Sequence, residues 1–103
     1  MVIIWLPEAK KHLKEIYLFY KENRSLNAAI KVREGIYSSV IPLKIFPLMA
    51  PVEIFSTKTD KDYHSLVVSK YFKVVYFIDK ENIYISAIFD CRQDPIANEK
   101  NKL

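Results

Sequence analysis

Hydrophobic positions follow two different periods along this chain, and the change between them falls at a group of prolines. The opening Val2-Ile3-Ile4-Trp5-Leu6 is β-branched or aromatic throughout and predicts a buried strand. Pro7 ends it and suits the first turn of a helix, where a missing N–H costs nothing, and Glu8 favours the positive helix end. Ala9, Leu13, Ile16, Tyr17 and Tyr20 then recur at spacings of three and four, with Lys10, Lys11, Lys14, Lys21 and Glu22 on the wet side, to an end near Arg24. Ser25 is a good cap for a second helix carrying Leu26, Ala29, Ile30, Arg33, Ile36, Tyr37 and Val40. Pro42 lacks a backbone donor, so this helix is expected to end or kink near Val40. Pro47 and Pro51 bound an irregular passage.

Beyond Pro51 the period is two. Val52–Ser56 is a strand candidate, and 58–62 is a charged turn. Tyr63–Val68 and Phe72–Ile78 predict a hairpin across Ser69-Lys70, and Asn82–Phe89 follows as a last strand. The fold class expected is α+β: two helices packed on an antiparallel sheet of four or five strands, in the order β-α-α-β-β-β. Leu13, Ile16, Tyr20, Ile30, Ile36 and Val40 are the predicted helical core. One domain over 1–96 is expected, with 97–103 a loose tail.

Composition adds bounds. The 103 residues suit one domain, and half of them are hydrophobic, which supports a core and excludes intrinsic disorder as the main state. Sixteen Lys and Arg against twelve Asp and Glu give a formal charge of +4, suited to nucleic acid or an acidic protein partner. The single cysteine, Cys91, excludes an internal disulfide and a CxxC metal pair, and is expected to be a buried structural thiol. The opening has no basic leader region, and no apolar run approaches the ~20 residues of a membrane span, so a cytoplasmic location is expected.

Several local signatures, in order, resemble the RelE/ParE (plasmid-stabilisation) toxin superfamily. Ile4-Trp5 with Pro7-Glu8-Ala9, Leu13, Ile16 and Tyr20 is similar to its first strand and helix. Ser25 with Ala28-Ala29 resembles the start of its second helix, and Leu43 with Pro47 its exit. Tyr63–Val67 and Tyr71–Tyr76 resemble its core hairpin. Asp90-Cys91-Arg92-Gln93-Asp94-Pro95 resembles the closing D-x-R-Q-D-P run of the ParE-like branch.

The resemblance implies the toxin of a type II toxin–antitoxin system that arrests growth and is neutralised by a cognate antitoxin, with no cofactor and no metal. Its two branches differ in target. RelE-like members cut messenger RNA on the ribosome, which needs a base for the ribose 2′-hydroxyl, cations for phosphate and a proton donor. ParE-like members act on DNA gyrase without a recognised catalytic set. At the positions of the RNA-cutting set this chain carries His64, Leu66, Lys73 and Arg92, with no tyrosine after Tyr84. The expectation is therefore ParE-like gyrase inhibition, with no catalytic residue assigned and His64, Lys73 and Arg92 as candidate target-binding residues. The alternatives are a RelE-like endonuclease with a reduced basic site, or an inactive relative that binds only antitoxin. The hairpin register decides whether His64 and Lys73 share a face: a two-residue turn at Ser69-Lys70 puts them together, and a three-residue turn including Tyr71 separates them.

Overall fold

The computed structural model describes residues 1–53 and 61–91. Strand β1 (Val2–Trp5) leads into α1 (Pro7–Asn23) and α2 (Leu26–Val40), a 3-10 turn (Ile41–Lys44), then β2 (His64–Val68), β3 (Phe72–Asp79) and β4 (Asn82–Asp90). Pro7 opens α1, and Ser25 caps α2 by accepting a hydrogen bond from the Ala28 N–H at 3.0 Å. Pro42 tightens the exit from α2 into the 3-10 turn, whose last carbonyl bonds are taken by Ile45 and Phe46 N–H on the Pro42 oxygen.

The strands lie in the order β1-β4-β3-β2. The sheet is mixed, which corrects the expectation of an antiparallel one. Tight turns make β2, β3 and β4 an antiparallel meander, but β1 joins the free side of β4 running parallel to it. Parallel neighbours need a long crossover, and here that connection includes the helical pair, which covers one sheet face.

Of the six predicted core positions, Leu13, Ile16, Tyr20, Ile36 and Val40 are buried. Ile30 is half-buried. The inward stripe of α2 runs through Ala29, Val32, Ile36 and Val40 instead, while Leu26 in its first turn is exposed. Ala9 and Ala29 have no accessible surface and belong to the same core. Phe72, Val74, Tyr76, Ile83, Ile85 and Ile88 form the sheet's half of the core.

Two irregularities position side chains. The β2–β3 connection holds Ser69 and Lys70 at φ of 60° and 81°, and pairs Val68 with Phe72. In β4, Ile85 pairs with Tyr76 and Ala87 with Val75, so Ser86 is an extra residue and β4 bulges there. Past the bulge β4 has outrun β1, and the freed Ile88 N–H donates to Nδ1 of His12 on α1 at 3.1 Å. That bond fixes the tautomer: Nε2 carries the proton and faces the Glu8 carboxylate at 3.3 Å.

The passage before β2 is pinned to the sheet by side-chain and backbone hydrogen bonds. The Tyr76 hydroxyl donates to the Pro47 carbonyl at 2.8 Å, and Ser65 N–H to that of Pro51 at 3.0 Å. Of the expected Val52–Ser56 strand, Val52 bridges to His64 and Glu53 N–H bonds Tyr63; the remainder lies outside the described residues. The charged turn, apart from Lys61 and Asp62, and the tail over 97–103 also lie outside them.

Candidate functional site

The three-residue turn settles the placement of the nominated residues. Ser69, Lys70 and Tyr71 separate the paired Val68 and Phe72, so His64 lies opposite Tyr76 and Lys73 opposite Val67. His64 and Lys73 therefore point to opposite faces of the sheet. Arg92, the third candidate, lies outside the described residues.

His64 is buried on the helix side, 5% exposed. Its ring stacks on Tyr76 with centroids 5.0 Å apart, and Nδ1 lies 2.8 Å from the Ala50 carbonyl oxygen. A carbonyl only accepts, so Nδ1 is the protonated nitrogen. The arrangement braces the 47–51 passage against the sheet and keeps the imidazole buried.

Lys73 lies on the outer face. Its ammonium stands 2.9 Å from the Glu53 carboxylate, which also accepts a hydrogen bond from the Ser65 hydroxyl. The Ser65 bond first, and then that from Lys73, hold the Glu53 carboxyl below its ordinary range. Lys73 is thus an already neutralised cation. Tyr63, just before β2, Phe77 of β3 and Tyr84 of β4 form a row of rings at 5.4 and 5.1 Å, with the Lys61 ammonium 4.4 Å above Phe77. Leu66 pairs with Val74 and belongs to the helix side.

Cys91 corrects another expectation, being an exposed free thiol. Asp90 takes the inward place at the end of β4, and Cys91 follows in a turn held by its N–H on the Tyr71 carbonyl at 2.7 Å.

Two surfaces escaped the sequence reading. Ile41, Ile45, Phe46, Leu48, Met49 and Val52 are all exposed, with Ile45 at 75% and Leu48 at 71%. Concentration of large apolar side chains in so short a segment marks a contact surface. The second is a groove of about 290 Å³ between the helices, where Lys10, Lys14 and Tyr17 of α1 face Arg33 and Tyr37 of α2 over Leu13. The sequence pattern places these lysines on a solvated face. The available signal was the spacing of Lys10, Lys14 and Tyr17 with Arg33 and Tyr37, each set rising by three or four residues on its helix.

Comparison with known proteins agrees with this geometry. The family model of the ParE toxin of type II toxin-antitoxin system, parDE, matches residues 3–95. No curated protein matches the chain. Among solved structures, the chain is similar to one described as the chromosomal ParDE TA system from P. aeruginosa, with a TM-score of 0.73 and 21% identity. That match covers 87% of this chain and 95% of the other. A helical pair on one face of a four-stranded mixed sheet is the fold of a ParE-like toxin. The chain belongs to the ParE toxin family, within the RelE/ParE superfamily, and that makes it a toxin of the type II toxin–antitoxin class.

Proposed function

We propose that the protein arrests growth by binding DNA gyrase, is neutralised by a cognate antitoxin, and does not cut messenger RNA. The observation that carries the choice of target is the hairpin register. It buries His64, turns Leu66 to the helices and leaves Lys73 spent on Glu53. RNA cleavage needs cations free to meet developing phosphate charge, together with a base and an acid within reach of one ribose-phosphate. The described part of the sheet does not bring such a set together. Lys73, together with its Glu53 partner, and Arg92 are instead read as contacts to the target protein.

The antitoxin is expected to cover apolar surface with a segment that orders on binding. The exposed side chains of the 41–52 passage supply such surface.

Purified protein assayed for inhibition of gyrase supercoiling, and by primer extension on translating ribosomes, tests the target. Inhibited supercoiling without cuts is the expected result. Discrete cuts within codons that vanish in Arg92→Ala would establish the RNA-cutting alternative.

A further inference from the structure

The groove between α1 and α2 brings cations and phenols together with little to satisfy them. Lys10 and Lys14 have no ion pair, and the Tyr17 and Tyr37 hydroxyls no hydrogen bond, among the described residues. Arg33 lies with its guanidinium carbon 4.9 Å from the Tyr17 ring centroid, and meets only its exposed neighbour Glu34, at 3.4 Å. A guanidinium stacked this way keeps N–H groups at its edge for a carboxylate or phosphate. The chemistry asks for an anion.

What lies beyond the groove separates the two classes of anion. Tyr37, packed edge-on against Trp5 at 5.1 Å, also lines a second groove of about 370 Å³. That groove is walled by Met1, Val2, Ile3, Val40 and Ile41; among the described residues Lys44 is its one charged side chain, and the Met1 ammonium is bound to the Lys44 carbonyl. A nucleic-acid strand carries a charge roughly every 3.4 Å and needs cations that continue along its track. Here the track turns apolar after one helix width. A peptide that is acidic at one end and aliphatic at the other matches both halves, and the chain's net +4 favours an acidic partner.

We propose that the Lys10–Lys14–Arg33 groove receives carboxylate side chains of the antitoxin, whose adjoining apolar residues fill the groove beside Val2 and Ile41. The proposal rests on the toxin–antitoxin reading and adds where the partner sits and what chemistry it brings. Carboxylates enclosed by three cations and two phenols form charge-assisted hydrogen bonds, while the Leu13 floor excludes water beneath them.

The test uses the intact chain and the small protein encoded beside it, with affinity measured by calorimetry. Lys10→Glu, Lys14→Glu and Arg33→Glu are combined in one variant. A second variant carries Lys21→Glu, Lys70→Glu and Lys80→Glu, giving the same change in net charge away from the groove. Circular dichroism and urea titration check that both fold, and Lys10→Gln with Lys14→Gln replaces the first variant if it does not.

Reversal in the groove is expected to weaken binding by about 100-fold or more, the scale of breaking charge pairs at an interface. The control reversal is expected to change it by less than about threefold, as exposed charges do. Equal affinities in wild type and groove variant would overturn the proposal and leave the toxin–antitoxin reading standing. A neighbouring protein that fails to bind even the wild type would remove that reading and the proposal with it. Wild type binding a single-stranded oligonucleotide through these cations, with antitoxin affinity untouched by the reversal, would also overturn it and make the groove a nucleic-acid site.

Discussion

His64 and Tyr76 hold the same stretch of backbone from two directions. Tyr76 reaches the Pro47 carbonyl and His64 that of Ala50, and their rings stack between these bonds. Tyr76→Phe keeps the ring and removes the hydroxyl, leaving the Pro47 oxygen without that donor, and should cost about 1–2 kcal/mol of stability. His64→Ala removes both ring and donor from a buried site and should cost more, about 2–4 kcal/mol. Urea unfolding midpoints read both. Glu53 adds a pH dependence whose sign follows from its lowered folded value. A carboxyl held below its ordinary 4.5 contributes stability that is full above that value and is lost as pH falls through the folded one. Wild type should therefore lose more stability between neutral pH and about pH 3 than Glu53→Gln does. Parallel losses in the two proteins would show that this carboxylate gives no such linkage.

Single elements were readable from sequence where local chemistry decides them. Pro7, Ser25 and Pro42 set the helix limits that the structure shows, and the Val, Ile, Tyr and Phe runs became strands. Register was not readable in this way. The turn holds Ser69 and Lys70 at positive φ, a conformation neither residue type favours, so their side chains do not announce its length. The candidate site meets the same limit, because a shift of one residue moves Lys73 across the sheet. The bulge at Ser86 follows from the β3–β4 register, and the bond from Ile88 N–H to His12 spans 76 residues, beyond any local pattern. Gly35 supports a prediction at this scale. It lies inside α2 without positive φ, and a Cβ added there meets nothing within 4 Å. Gly35→Ala should raise stability by about 0.5–1 kcal/mol, by restricting the unfolded chain and favouring helix. An unchanged urea midpoint would mean that the helix is already constrained at that position.

On the scale of the molecule, the helical layer covers one sheet face, and the apolar side chains it leaves outside are unevenly spread. Ile45, Phe46 and Leu48 stand exposed on backbone that is itself fixed by Tyr76, His64 and the buried Leu43 and Ala50. An apolar surface presented on anchored backbone is prepared for a partner, since little order remains to be imposed when it is covered. In the free chain the same surface faces water and favours self-association. Ile45→Lys combined with Leu48→Lys should therefore leave the urea midpoint within about 0.5 kcal/mol of wild type, as exposed substitutions do. It should abolish concentration-dependent self-association of the free toxin in sedimentation velocity and weaken capture by the antitoxin. If the doubly charged chain unfolds more readily, these side chains belong to the fold. If it folds normally and binds antitoxin with undiminished affinity, the 41–52 passage is left for another partner, and gyrase binding by the same variant shows whether that partner is the target.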